Sequence, residues 1–245
     1  EWTRRGDIIP EAGKDFIKDL LMWANSFGGR FMKPSGPLLG TRVLDLSGKS
    51  GLHCSKLFAD FGADVIKIER PGGDSTRNIP PFKDDQPNIN NSLYFLHFNA
   101  NKRGITLDLS KNYGITLFHK LVSTADVVIE TSPPGHMESL GIGYSSLKEI
   151  NPRIVVTSIT PFGHSGPYKD FRATDIVSFA MGGLMALSGE PDRPPCVAPG
   201  EVAYGMASAF AALGTLVAIY HSKLTGNGQQ VDTSAHASSV HIAGY

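Results

Sequence analysis

From residue 39 onward, short β-branched runs alternate with stretches of helical spacing. This alternation restricts the possible folds more than any other feature of the chain. The runs RVLDL (42–46), DVIKI (64–68), GITLDL (104–109), DVVIE (126–130) and RIVVTSI (153–159) read as strands. Segments 51–61, 112–124, 144–150, 175–187 and 202–223 read as helices. Strand and helix in alternation mean βαβ units, which build a mainly parallel sheet covered by helices. The expected class is α/β, a Rossmann-like sheet with flanking helices. Ligands of such sheets sit beyond the carboxyl ends of the strands. Functional residues are therefore expected in 47–51, 69–77, 110–111, 131–135 and 160–166.

Residues 1–38 follow a different pattern and read as an N-terminal extension to a domain spanning 39–245. Phe16, Leu20, Trp23, Ala24 and Phe27 recur at helical spacing, so one amphipathic helix is expected, followed by the linker KPSGP. The 23 Lys and Arg residues balance 23 Asp and Glu residues. That balance argues against a nucleic-acid or membrane-surface binder, which carries a basic excess. No run approaches about 18 uninterrupted apolar residues, so no transmembrane helix is expected. The longest apolar run, within 206–220, reads as a buried helix. The first residues lack the apolar core of a signal peptide. Two cysteines, Cys54 and Cys196, make no disulfide framework; both read as packing residues of a protein in the reducing cytoplasm.

Several motifs are excluded by spacing. SGKSG (47–51) suggests a phosphate loop, but a Walker A sequence needs a glycine where Val43 stands. The segment can still offer backbone N–H groups at a helix start. No GxGxxG follows a strand, and no GxSxG elbow is present. The eight histidines form no HxH or HExxH pattern, so no metal site is expected. Arg70 and Arg77 flank a glycine turn, either to grip phosphate oxygens or as solvated surface residues. Lys102, Arg103 and Lys111 add cations near strand ends, a pattern that suits an anionic small molecule. Asp175 and Glu201 each stand at a helix start, where local rules read both as capping acids.

The segments GPLLGTRVLDLS, FGADVIKIERPGGDSTR, FNANKRGITLDL, PGHMESLGIGYSSLKEINPRIVVTSITPFGHSGPY and DIVSFAMGGLMALSGE resemble, in order, the class III CoA-transferases. These include the formyl-CoA transferase and carnitine CoA-transferase group. The resemblance runs from about residue 37 to 240. It implies that this Rossmann-like part is the CoA-binding large domain of an interlocked dimer. It also implies a small domain after Tyr245, absent from this chain. Coenzyme A enters as substrate and product, with no other cofactor. The resemblance places Ser50 in the loop lining the pantetheine and Arg70 near the adenine and phosphates. Leu107, Ser110 and Lys111 fall on the adenine side, and Arg172 takes the place of a family cation. The resemblance also puts Thr131 and Ser132 in the CoA site, although these two and Ser139 stand where other residue types are usual in the family.

The family nucleophile is an aspartate in a Gly/Ala-Asp-x-x-x-Gly frame. Here PGEVAYG puts Glu201 at that position, between Gly200 and Gly205. The implied reaction moves CoA from an acyl-CoA to a free carboxylic acid, through a mixed anhydride and an enzyme–CoA thioester. A glycine-rich turn beyond Tyr245 is implied as the oxyanion donor. Three readings stay open. Glu201 is the nucleophile, or this chain is a noncatalytic subunit whose partner carries the aspartate. As a minor alternative the chain is a 2-methylacyl-CoA racemase, although Thr174 stands where that chemistry uses a histidine. Partners are thus an acyl-CoA, a carboxylic acid and a second subunit, identical or different.

Overall fold

A computed structural model describes residues 36–244. The amphipathic helix expected within 1–38 lies outside the described residues. The strands are β1 (Arg42–Leu46), β2 (Asp64–Glu69), β3 (Arg103–Thr106), β4 (Val127–Glu130), β5 (Val155–Thr160) and β6 (Gln230–Ser234). They form a six-stranded sheet in the order β3-β2-β1-β4-β5-β6, and every neighbouring pair is parallel. The order reverses direction between β1 and β4, which makes that junction the topological switch point.

The helices are α1 (Leu52–Asp60), α2 (Leu93–Phe98), α3 (Asn112–Val122), α4 (His136–Ser139), α5 (Tyr144–Ile150), α6 (Asp175–Met181), α7 (Val202–Thr225) and α8 (Ala235–Ala243). Period-two alternation along the strands divides the core into two layers. Val43, Val65, Val127, Ile129, Val155 and Ile159 meet Phe58 of α1 and the small residues of α7 on one face. Leu44, Ile66, Ile68, Val128 and Val156 meet Phe118 and Val122 of α3 and Leu147 of α5 on the other. Strands covered on both faces need no polar side, so β4 and β5 are buried along their whole length.

By length and composition alone, α7 is apolar enough to cross a membrane. Here Ala203, Ala207, Ala211 and Thr215 recur every fourth residue along its buried side, and the helix packs against β5 and β6. Small side chains let its axis approach the sheet closely. Thr215 Oγ1 lies 2.6 Å from Thr157 Oγ1 of β5. The predicted helix over 175–187 is shorter than expected. It stops at Met181 because Gly182 and Gly183 follow, and Gly183 has φ 87°. A 3₁₀ turn, Leu184–Leu187, takes up the rest. The predicted strand over 104–109 occupies Arg103–Thr106.

A buried charge cluster fixes the loop after β1. Asp45 is fully buried, and its carboxylate accepts hydrogen bonds from Ser47 Oγ (2.5 Å), Ser55 Oγ (2.7 Å) and Lys102 Nζ (3.0 Å). Lys67, also buried, lies 4.0 Å from Asp45 and 3.1 Å from Asp74, and donates to the Ser47 carbonyl. Burial alone would raise the Asp45 pKa. Lys102, Lys67 and the two serine hydroxyls outweigh it and hold the carboxyl well below the usual carboxylate range. Because the folded pKa lies below that of the unfolded chain, the stabilisation is complete above the unfolded value of about 3.9 and declines as pH falls through the folded value.

Asp45→Asn leaves two buried ammonium groups short of their counter-charge. It is expected to lower stability at pH 7 by about 3 kcal/mol, read from urea denaturation. The penalty should shrink as the pH is lowered below 4, because wild-type Asp45 then loses its own advantage.

Candidate active site

The loop between β1 and α1, residues 47–51, faces the loop after β4 across the switch point. Thr131 Oγ1 accepts from Gly48 N at 2.8 Å, tying the two loops together. Gly51 has to be glycine for a steric reason. A Cβ there would stand 2.7 Å from Thr131 Cγ2 and 2.8 Å from Ser47 Cβ. The Ser50 carbonyl accepts from Ser208 Oγ of α7 at 3.1 Å, which ties the same loop to the long helix.

Glu201 stands at the N-cap position of α7, directly after Gly200, whose φ is 83°. Its side chain makes no capping hydrogen bond. The cap comes instead from Asp175 of α6, whose Oδ1 accepts from Tyr204 N at 2.8 Å. Asp175 was expected to cap its own helix, but it occupies the first turn of α6 after Thr174 and reaches across to α7. Burial raises its pKa, and the nearby Glu201 carboxylate adds to the effect.

With the cap supplied elsewhere, the Glu201 carboxylate points to the β1–α1 loop and to α2. Its Oε1 pairs with Lys49 Nζ, and its Oε2 accepts from Tyr94 Oη at 2.5 Å. Side-chain exposure is 46% for Lys49 and 22% for Glu201, so the pair sits at the rim of the site with the lysine as its more exposed member. Burial raises the Tyr94 pKa, and its bond to ionised Glu201 raises it further, so the phenol stays a donor. Burial and the charges of Asp175 and Glu201 push Tyr204 up to about 12. Tyr94 is placed by α2, whose N-cap Ser92 accepts from Phe95 N at 3.1 Å and donates to the Ile79 carbonyl at 2.6 Å.

The remaining sequence-derived site residues are spread along the carboxyl edge. Arg70 is exposed in the turn after β2, its guanidinium 3.4 Å from the Gly73 carbonyl. Leu107 follows β3, but its side chain is buried with Phe118 and Ile68. Ser110 Oγ donates to Asp108 Oδ1 at 2.6 Å, and exposed Lys111 is the N-cap of α3. Ser132 N donates to buried Glu130 at 2.6 Å, and Arg172 is exposed in the loop before α6. Among the described residues, no hydrogen bond or ion pair joins Arg70, Ser110, Lys111 or Arg172 to the Glu201 cluster.

Arg77, left open between a phosphate grip and a solvated surface, and Lys102 and Arg103, read as cations for an anionic ligand, belong to the framework instead. Arg77 forms a two-pronged pair with Glu69 at 2.6 and 2.7 Å, and its guanidinium lies 3.8 Å from the Phe95 ring centroid. Lys102 is consumed by Asp45. Arg103 opens β3 at the opposite edge of the sheet, where Asp64 holds it at 2.8 and 2.6 Å. Lys49 and Tyr94 are the residues that sequence reasoning missed. Lys49 lay within a rejected phosphate-loop motif, and Tyr94 carries no motif and lies 107 residues from its partner.

The fold is a parallel, doubly covered α/β sheet, and a carboxylate, a lysine and a tyrosine meet beside the loop that follows β1, at the end of the sheet where such folds bind ligands. The profile of CoA-transferase family III matches residues 38–245, and the chain belongs to that family. It is 40% identical over 193 residues to the succinyl-CoA:(R)-benzylsuccinate CoA-transferase subunit BbsE of Thauera aromatica, covering 79% of this chain and 47% of that protein. It is 39% identical over 198 residues to the formyl-CoA:oxalate CoA-transferase of Streptomyces avermitilis, covering 80% and 47%. Among solved structures, a CAIB/BAIF family protein from Brucella suis superposes with a TM-score of 0.79 at 36% identity, covering 84% of this chain and 55% of that one. The chain spans about half the length of the curated relatives it matches.

Asp175→Ala removes the acceptor for the first turn of α7. It is expected to lower stability by about 1 kcal/mol in thermal or urea unfolding. If Asp175→Ala is as stable as wild type, Asp175 does not cap α7.

Proposed function

We propose that the complete protein is a CoA-transferase and that Glu201 is its nucleophile. The observation that carries this reading is the Glu201 carboxylate itself. It stands at the amino end of α7 and is ion-paired rather than spent as a cap, in a chain of CoA-transferase family III. The amino end of a helix is a favourable place for a negative charge, and the Lys49 ammonium lies against this carboxylate.

In this reading a Glu201 oxygen attacks the thioester carbon of the acyl-CoA. A C–O bond forms, the C–S bond breaks, and CoA leaves as thiolate. The thiolate then attacks the Glu201 carbonyl of the mixed anhydride, forming the enzyme thioester and releasing the donor acid as its carboxylate. The acceptor carboxylate runs the same two steps in reverse. CoA reaches the site along the carboxyl edge of the sheet, with Ser50, Thr131 and Ser132 along its path and Arg70, Ser110, Lys111 and Arg172 toward the nucleotide; the side chain of Leu107, buried in the core, does not line it. No further cofactor is required. The buried thiol Cys54 and the exposed free Cys196 suit a reducing, cytoplasmic setting.

A second reading has a specific observation in its favour. The relative from Thauera aromatica is named as a subunit, and a glutamate in place of an aspartate suits a chain whose partner performs the chemistry. The outer face of α7 exposes Leu213, Val217, Tyr220 and Leu224 at helical spacing, which supports an assembly that covers it.

Incubating the full-length protein with acyl-CoA and trapping with hydroxylamine should convert Glu201 to its hydroxamate, detected by peptide mass spectrometry. Glu201→Asp should lower transfer by about 10²-fold, since the carboxylate retracts by about one bond length in a pocket shaped for glutamate. An unmodified Glu201 in a preparation that turns over, with the label on a co-purifying aspartate subunit, selects the second reading.

A further inference from the structure

The ion pair between Lys49 and Glu201 raises a question of charge. In the resting site the Lys49 ammonium is matched by the Glu201 carboxylate. Glu69, Asp45 and Asp74, the other acids beside the neighbouring loops, are already paired with Arg77, Lys102 and Lys67. Asp175 is turned to the α7 amide, and its charge acts on Lys49 only through space, without an ion pair. Once Glu201 becomes an anhydride or a thioester it is neutral, and Lys49 loses its direct ion-pair partner.

The reaction conserves that charge. One negative charge starts on Glu201, passes to the CoA thiolate, and reappears on the carboxylate of the released acid. We propose that Lys49 follows it: the ammonium that pairs with Glu201 in the free enzyme holds the substrate carboxylate when Glu201 is acylated. Lys49 is thereby the residue that binds and positions the acid co-substrate. This inference rests on the reading of Glu201 as the nucleophile. The geometry suits an exchange of partners. Lys49 sits in a loop anchored on both sides, by Gly48 to Thr131 and by Ser50 to Ser208, so the backbone is fixed while the long side chain is free to swing. The Lys49 side chain is half-exposed and can reach an incoming anion without opening the core. Tyr94, on the other carboxylate oxygen, holds Glu201 in place during the exchange.

The test uses the full-length protein with succinate as the probe acid. Glu201→Gln keeps the side-chain shape but is neutral, as the thioester is, and leaves Lys49 without its partner. By calorimetric titration this variant should bind succinate about tenfold more tightly than wild type, and Glu201→Gln combined with Lys49→Met should lose that gain. In the enzyme with Glu201 intact, Lys49→Met should raise the KM for the acid by about tenfold with little change in the KM for acyl-CoA, and Lys49→Arg should restore most of it. Equal succinate binding by Glu201→Gln with and without Lys49 overturns the proposal. So does a Lys49→Met variant that weakens coenzyme A binding and spares succinate, which makes Lys49 a phosphate contact. Absence of CoA transfer by the wild-type protein tells against the CoA-transferase reading, whereas the succinate titrations need no turnover and judge Lys49 on their own.

Discussion

The buried carboxylate of Asp45 is the constraint on which the geometry of the site depends. A charge with no exposure survives only if its hydrogen-bonding capacity is filled, and here Ser47, Ser55 and Lys102 fill it. Each partner comes from a different segment: the β1–α1 loop, α1 and the residue that precedes β3. Lys67 extends the network through the Ser47 carbonyl to Asp74 in the turn after β2. A single buried anion therefore sets the course of two loops at the carboxyl edge. Replacing the network with apolar residues could leave the fold intact, but it would release the loop that carries Lys49.

The amino end of α7 is organised by a division of labour between two acids. Helix starts leave backbone N–H groups without partners, and a nearby acid satisfies them most readily. If Glu201 did this itself, its carboxylate would fold back on its own helix and be unavailable. Asp175, delivered from α6, takes the capping bond, and Gly200 in the left-handed region turns the backbone into the helix. Glu201 is then free to reach Lys49 and Tyr94. Two carboxylates this close repel each other, which is part of why the Asp175 pKa rises while Glu201 is balanced by the lysine.

Local sequence made the inner strands legible because parallel strands buried on both faces leave continuous runs of Val and Ile. Their limits agree with the structure to within a few residues. The edge strand β6 was missed. QVDTS is mostly exposed or half-buried, and its register against β5 is held by backbone bonds that no side-chain pattern records. α8 follows it with Ala, Ser and His in place of an apolar stripe, so its pattern was equally weak. Cations proved hardest to read. Arg77, Lys102 and Arg103 look alike in sequence to Arg70 and Lys111, and only the fold reveals that Glu69, Asp45 and Asp64 claim the first three. Glu201 stood out through its glycine frame, but its partners lie more than 100 residues away along the chain, beyond the reach of local rules.

The length of Glu201 is consistent with this arrangement of partners. Lys49 approaches from the β1–α1 loop and Tyr94 from α2, and the two bind different oxygens of one carboxylate. An aspartate on the same backbone would retract that carboxylate by about 1.5 Å, one C–C bond. From the cap position of α7 it would have to give up one contact or move the loop. The loop is poorly placed to follow, because Gly51 already packs against Thr131 and Ser47 with no room for a methyl group. Glutamate and lysine are thus matched as a pair: the longer acid reaches from the start of α7 to the ammonium on the β1–α1 loop, and the ammonium supplies its counter-charge.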